Sequence, residues 1–390
     1  MRILHVVTAF PRGPDDPIAP WLVELLQRLR GAGHDIEVFT SAYKGSADQS
    51  FSGIPVHRFR YFFRRWENLT HEETAPDRMR RNLLYRVMPL FFVVAGMLAV
   101  WRLTRRHQYD VIHVHWPLPL ALFGWAAQRS GQPPVVTTFY GVELRWVKHV
   151  LKPLKWFIKW AARRSAKVVA ISSYTANELR ELVNVPVAVI PYTASLPPPS
   201  ASHPSAGGAS TILFVGRLVE RKGVSHLIEA LGRLKRRDAR LVIVGDGPER
   251  ARLEALSRQN GVASRVEFRG KVSDADLQRA YQQASAFVLP SVLDARGDTE
   301  GLGVVLLEAM NYGVPVVASK IGGIVDIVAD RESGLLVRAG DPGALAAALD
   351  QVLGSPDEAR RLGENGRRRL REEFSWDAIV ARWDALYRSL

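Results

Sequence analysis

Two carboxylates, Glu300 and Glu308, are separated by seven residues within Asp298-Thr299-Glu300-Gly301-Leu302-Gly303-Val304-Val305-Leu306-Leu307-Glu308-Ala309-Met310. Charge is costly in so apolar a pattern, so each needs a partner or a ligand. A Gly-Leu-Gly turn opens the segment, Gly313-Val314-Pro315 closes it, and Gly322-Gly323 follow. A helix beginning near Leu302 offers unpaired N–H groups and the positive end of its dipole to an anion or a hydroxyl-rich ligand. Glu300 then lies on the loop before it, and Glu308 sits roughly 12 Å away at about 1.5 Å per residue. That is the span of a sugar, a diphosphate and a ribose; the plainer alternative pairs Glu308 with a core arginine.

Two cations stand in a comparable place, in Gly216-Arg217-Leu218-Val219-Glu220-Arg221-Lys222-Gly223 after the apolar run Thr211 to Val215. Where a strand hands over to a helix, a guanidinium fork, a compact ammonium and helix N–H groups converge on one anion. Gly245-Asp246-Gly247 lacks the third glycine of a dinucleotide fingerprint and reads as a tight turn.

Together these segments resemble the retaining GT-B glycosyltransferases, family four in particular (glycosyl transferases group 1). EGLGVVLLEAMNYGVPVVAS is similar to the family's Glu-x7-Glu motif, and Gly216, Arg217, Lys222 and Gly223 match its Gly-Arg-x4-Lys-Gly diphosphate clamp. The resemblance implies that Glu308 accepts the ribose hydroxyls of a nucleotide. It implies further that Glu300 with the backbone of Gly301, Leu302 and Gly303 holds the transferred sugar, and that the base lies near Gly270, Lys271 and Val272. Transfer from a nucleotide sugar must stabilise charge growing on the departing diphosphate, and Arg217 and Lys222 supply that electrostatically. With no Asp-x-Asp and no His/Cys cluster at ligand spacing along the chain, a metal-independent transferase without cofactor is expected, and the resemblance implies that it retains anomeric configuration.

The first half also resembles the family, in Thr8-Ala9-Phe10-Pro11-Arg12-Gly13, in Gly33-His34 and in Asp110-Val111-Ile112-His113-Val114-His115. It departs at Tyr140, which stands in Thr137-Thr138-Phe139-Tyr140-Gly141-Val142-Glu143 where the family commonly has a histidine. Tyrosine donates a hydrogen bond but is a poor base at neutral pH. Either Glu143 takes over as base, the diphosphate oxygen accepts the proton, or Tyr140 is only a packed aromatic. His113 reads as structural.

The elements that must position these residues alternate. Strands are expected at Ile3–Val7, Ile36–Thr40, Val111–Val114, Val135–Thr138 and Val168–Ile171, then at 211–215, 240–244, 265–268, 286–289 and 314–318, with helices between. Such alternation gives parallel sheets covered on both faces, with ligands beyond the carboxyl ends of the strands. The expectation is an α/β GT-B fold of two Rossmann-like, doubly wound domains facing across a cleft. An acceptor domain covers residues 1–191, a Pro/Ser/Ala/Gly-rich linker 192–210, and a donor domain 211–374. On the family's pattern a last helix, 375–390, crosses back to the first domain.

Charge is uneven along the 390 residues: 26 Lys and Arg against 14 Asp and Glu in the first 200, and 27 against 25 thereafter. Arg145, Lys148, Lys152, Lys155, Lys159 and Arg163 recur at steps of three and four, which on one helix makes a basic stripe suited to an anionic membrane surface; Pro153 divides the run. Nucleic acid is not expected, since no recognition motif accompanies the charge. Met88 to Trp101 is apolar for fourteen residues, short of the ~20 that span a bilayer. It reads as a buried helix, or as a segment that joins Tyr61-Phe62-Phe63 and Trp66 at the interface. Cysteine is absent, which removes disulfides and thiol nucleophiles and agrees with a reducing compartment.

The expected activity is therefore transfer of a hexose from a UDP-, GDP- or ADP-sugar to a glycan or lipid-linked acceptor in cell-surface polysaccharide or glycolipid synthesis. The enzyme would be peripheral on the cytoplasmic face of the inner membrane. A nucleotide-sugar epimerase of the same architecture and a non-catalytic nucleotide-binding scaffold are the alternatives.

Overall fold

Near-continuous apolar runs such as Ile3-Leu4-His5-Val6 and Ile212-Leu213-Phe214-Val215 suit strands buried on both faces, and they form the centres of two parallel sheets in the computed structural model. The structure describes residues 1–13, 16, 18–70, 84–128, 132–193 and 210–390. Most of the expected linker thus lies outside the described residues. By internal contacts the chain divides into one unit of residues 1–171, 175–190 and 379–390 and another of 172–174 and 191–378.

The first sheet has eight strands: β1 (Arg2–Val6), β2 (Asp35–Ser41), β3 (Gln49–Phe51), β4 (Ile54–Phe59), β5 (Val111–His115), β6 (Val135–Phe139), β7 (Lys167–Ala170) and β8 (Val187–Val189). Their order is β3-β4-β2-β1-β5-β6-β7-β8, parallel except for the β3–β4 pair. Strand β1 lies between β2 and β5, so the strand order reverses there, with His5 opposite His113. Helices α1 (Pro20–Gly31), α2 (Leu84–Arg106), α3 (Pro117–Gln128), α4 (Val142–His149), α5 (Lys155–Arg164) and α6 (Ser173–Arg180) connect them.

Helix α2 is 23 residues long, beyond the fourteen apolar residues that suggested it. Met88, Phe92 and Val100 pack it on Phe59 and Phe123, yet Val87, Leu90, Phe91, Val94 and Leu98 on its other side are exposed. By length and hydropathy, residues 85–106 could cross a membrane. Their inner face, however, is built into this core.

The basic stripe needs correction. A 3-10 turn at Lys152–Leu154 separates α4 from α5, as Pro153 requires. Arg145 is buried against Glu178, and Lys148 bridges Glu178 and Glu181. Only Lys152, Lys155, Lys159 and Arg163 of the six stand exposed.

The second sheet contains β9 (Thr211–Val215), β10 (Arg240–Val244), β11 (Val266–Gly270), β12 (Ala286–Leu289), β13 (Val316–Ser319) and β14 (Leu335–Val337), in the order β11-β10-β9-β12-β13-β14 and parallel throughout. Its helices are α7 (Val224–Arg233), α8 (Arg250–Gln259), α9 (Asp274–Gln283), α10 (Val304–Asn311), α11 (Ile324–Ile327), α12 (Pro342–Gly354) and α13 (Pro356–Arg369). The switch point is β9, flanked by β10 and β12. The last helix, α14 (Trp376–Arg388), sends Trp383 and Tyr387 onto His113 of the first sheet.

Candidate active site

In the second unit the chain leaves β9 at Gly216 and Arg217, at the carboxyl edge of the sheet, where α/β sheets bind ligands. A 3-10 turn, Glu220–Lys222, ends at Gly223 with φ 65°. A Cβ at Gly223 would lie 1.9 Å from Pro290 O, so only glycine lets this turn seat against the chain leaving β12. The turn buries Lys222, whose Nζ lies 2.5 Å from Glu300 Oε2. Arg221 reaches the same oxygen at 3.3 Å and Asp298 at 3.6 Å. Among the described residues the exposed Arg217 guanidinium has no hydrogen-bond or ion-pair partner.

Glu300 is held from its other side by the Gly-Gly pair. The Gly323 N–H donates to Glu300 O at 3.0 Å, and a Cβ on Gly322 would meet that oxygen at 2.1 Å. Burial works to raise the Glu300 pKa, but the Lys222 and Arg221 charges outweigh it, and the group is held below the ordinary value as a carboxylate. Helix α10 starts at Val304, two residues past the expected Leu302, with Gly303 before it at φ 96°. Glu308 lies within α10 and accepts a 2.6 Å hydrogen bond from the buried Tyr281 hydroxyl. This partner is a tyrosine on α9, not the core arginine of the plainer reading. Burial raises the Glu308 pKa, opposed by Tyr281 and by the charge of Lys222, so Lys222 acts on both carboxylates.

Gly270, Lys271 and Val272 fall at the end of β11, two strands from β9, where Gly245 N–H donates to Gly270 O at 2.8 Å. Arg221, Tyr281 and Tyr192 were not singled out by the sequence. Tyr192, half-buried, lies close enough to Glu300 for that charge, after burial itself, to help push its hydroxyl up to about 12. A cavity of about 520 Å³ lined by Val219, Glu220, His226, Val292 and Ile321 adjoins the 3-10 turn. None of Arg217, Lys222, Glu300 or Glu308 lines it, so the chemistry-bearing groups and the cavity are separate features.

Tyr140 belongs to the first unit, just beyond β6. Its ring stacks on Trp116 at 4.3 Å, and its hydroxyl lies 2.7 Å from His115 Nδ1. Its N–H donates to Glu143 Oε1 at 2.7 Å. Glu143 therefore closes the first turn of α4. Burial, against these N–H donors, pushes its carboxyl up to about 7, which leaves it able to exchange a proton near neutrality.

The sequence showed no histidine cluster at ligand spacing, and here the fold corrects it: β1 beside β5 brings His5, His113 and His115 together, with ligand atoms within 4.8 Å of one another. Tested as metal ligands, most of these nitrogens are already engaged. His5 Nδ1 meets His115 Nε2 at 3.0 Å, and His113 binds the Tyr387 and Thr138 hydroxyls at 2.7 and 2.8 Å. The donor set is a hydrogen-bonded network of uncharged rings, since burial drives His115 down to about 3 and His5 and His113 well below the ordinary value.

Comparison with known proteins agrees with this architecture. The family model described as "Glycosyl transferases group 1" matches residues 200–369, and that of "Glycosyltransferase Family 4" matches 19–192. A GDP-mannose-dependent alpha-(1-6)-phosphatidylinositol monomannoside mannosyltransferase of Mycobacterium tuberculosis is 31% identical, covering 98% of this chain and 96% of its own length. An N-acetyl-alpha-D-glucosaminyl L-malate synthase of Bacillus anthracis is 24% identical over 93% and 91%. Among solved structures, sucrose-phosphate synthase from Thermosynechococcus elongatus superposes with TM-score 0.77 at 24% identity, over 100% of this chain and 98% of that one. Anabaena HepE in complex with UDP and glucose gives 0.71 at 20% identity, over 100% of both.

Proposed function

This chain belongs to the group 1 glycosyltransferases of GT-B fold, and we propose that it moves a hexose from a nucleotide sugar to a glycan or lipid-linked acceptor with retention of anomeric configuration. The observation that carries this reading is the Lys222–Glu300 pair at 2.5 Å beside Arg217 at the carboxyl edge of the second sheet. Arg217 and Lys222 supply positive charge to the departing diphosphate, where fixed charges stabilise the transition state without rearranging. Glu300, kept ionised, holds Lys222 in place and with Gly301, Leu302 and Gly303 faces the transferred sugar. Glu308, oriented by Tyr281, takes the ribose hydroxyls, and Gly270, Lys271 and Val272 border the base. The charge requirement is met by side chains, so we propose a metal-independent reaction that survives chelators. GDP-mannose is the first donor to try, because the mycobacterial relative is named for it.

The acceptor side lies in the basic first unit. The exposed apolar side of α2, with Arg86 before it and Arg102, Arg105 and Arg106 after it, supports seating on an anionic membrane. The acceptor is then a membrane glycolipid or lipid-linked glycan, reached from the cytoplasmic face.

The test is turnover with UDP-, GDP- and ADP-sugars and a lipid extract as acceptor source, with product configuration read by proton NMR. An axial donor linkage conserved in the product supports the reading; an inverted linkage removes the retaining part. A nucleotide sugar epimerised without acceptor would replace transfer altogether.

A further inference from the structure

The cavity beside the 3-10 turn is built wholly from the second unit, and it shares its walls with the charged pair that lies outside it. Val219 and Glu220 line it from the start of the turn that carries Arg221 and Lys222. Val292 lines it from the chain leaving β12, where its N–H donates to Arg221 O at 2.8 Å. Ile321 lines it just before Gly322-Gly323, and the Gly323 N–H is the donor to Glu300 O. Glu249 lines it ahead of α8, and its N–H donates to Leu218 O at 3.1 Å, next to Arg217 in the chain. The segments that seat Arg217, Lys222 and Glu300 are therefore the ones a molecule in the cavity would touch.

At about 520 Å³ the cavity has the volume of a small-molecule site. Its lining sets the chemistry of the occupant. Leu253, Leu256 and Leu293 supply apolar surface, and Leu293 is 58% exposed to solvent. Three carboxylates, Glu220, Glu229 and Glu249, line it with a single guanidinium, Arg252. Arg252 is already held by Glu249 at 2.6 Å, and among the described residues Glu220 and Glu229 have no ion-pair partner. The surplus charge is negative, which disfavours phosphates and carboxylates. An ammonium carried on an apolar body is favoured by both parts of the lining.

We propose that this cavity is a second binding site, for a small amphipathic amine, and that its occupancy changes nucleotide affinity at Arg217 and Lys222. The amine acts by favouring one arrangement of the shared wall segments over another, since a ligand shifts an equilibrium only by its differential affinity for the two states. Coupling of this kind is reciprocal, so the nucleotide changes amine affinity by the same factor. Occupancy stands on the cavity alone, whereas the coupling rests on the reading of Arg217 and Lys222 as the donor clamp.

The experiment has two arms on the full-length protein at about pH 8, with hexylamine as the probe and hexanol and hexanoate as its neutral and anionic counterparts. In the first, NMR of labelled Ile, Leu and Val methyl groups follows each titration. Saturable shifts at Leu253, Leu293 and Ile321 with hexylamine are expected, and Glu220→Gln with Glu229→Gln should raise its dissociation constant about tenfold, the loss of one charge-assisted hydrogen bond. No saturable shift overturns the site; equal affinity for hexanol or hexanoate, or an unaffected double variant, overturns the choice of a cation. In the second arm a nucleoside diphosphate is titrated calorimetrically with and without saturating hexylamine, and its dissociation constant should change about fivefold or more. An unchanged constant overturns the coupling. A protein that binds no nucleotide defeats the donor-site reading and the coupling with it, while the methyl shifts still decide whether the cavity takes an amine.

Discussion

Lys222 Nζ lies 2.5 Å from Glu300 Oε2, and both side chains are close to nine-tenths withdrawn from solvent. Removing one partner strands the other as a buried charge. Lys222→Met is expected to lose about 3 kcal/mol of stability, with Arg221 limiting the damage, whereas Glu300→Gln leaves the two cations Lys222 and Arg221 without the carboxylate they share and should cost at least as much. Urea denaturation of the two variants beside the unmodified protein checks this. Equal midpoints for Lys222→Met and the parent would show that the pair is dispensable to the fold.

Tyr281 carries Glu308 in the same sense. Tyr281→Phe keeps the packing against Tyr312 and Phe287 and deletes the 2.6 Å bond to Glu308. A loss of about 1–3 kcal/mol is expected for the unsatisfied carboxyl, together with weaker nucleotide binding. Calorimetric titration with a nucleoside diphosphate reads the second effect, and undiminished affinity would separate Glu308 from ribose recognition.

Glu143 gives the pH dependence a sign. Its pKa rises from 4.5 to about 7 on folding, so the folded state binds the extra proton. The associated stability is complete below about 4.5 and disappears as pH rises through about 7. Glu143→Gln stays neutral and should therefore show a smaller fall in Tm between about pH 5 and 8. Parallel Tm profiles for variant and parent would contradict the assignment.

The membrane reading now rests on α2 more than on α4 and α5. Leu90→Glu with Val94→Glu, both on the exposed side, should reduce partitioning onto anionic vesicles roughly tenfold or more, since each buried apolar side chain is worth about 1.5–3 kcal/mol. Lys152→Glu with Lys155→Glu and Lys159→Glu should reduce it through charge alone, and salt should mimic that second effect. Sedimentation with vesicles distinguishes the two sets, and a folded protein whose binding ignores both has no membrane role for these surfaces.

Local signals in the sequence carried the second unit well. Gly223 and Gly322-Gly323 marked backbone contacts that a Cβ would break, and both lie beside the Lys222–Glu300 pair. What escaped was set by tertiary neighbours. His5 and His115 meet only because β1 and β5 pair, and Tyr281 reaches Glu308 from a helix whose pattern marks no ligand role. The edge strand β3 and its neighbour β4 were missed because Gln49, Ser50, His57 and Arg58 interrupt their apolar content. Arg145 falls on the basic stripe by spacing alone, but the fold sets it against Glu178.

The most direct test of the central claim is the unfolding temperature of the parent, Arg217→Ala and Glu308→Ala proteins with UDP, GDP or ADP at about 100 times the dissociation constant, a concentration worth about 2.7 kcal/mol. One nucleotide should raise Tm of the parent, and both variants should lose most of that rise. If no nucleotide stabilises the parent, or if the variants respond as the parent does, Arg217 and Glu308 do not hold a nucleotide and the assignment of the donor site is wrong.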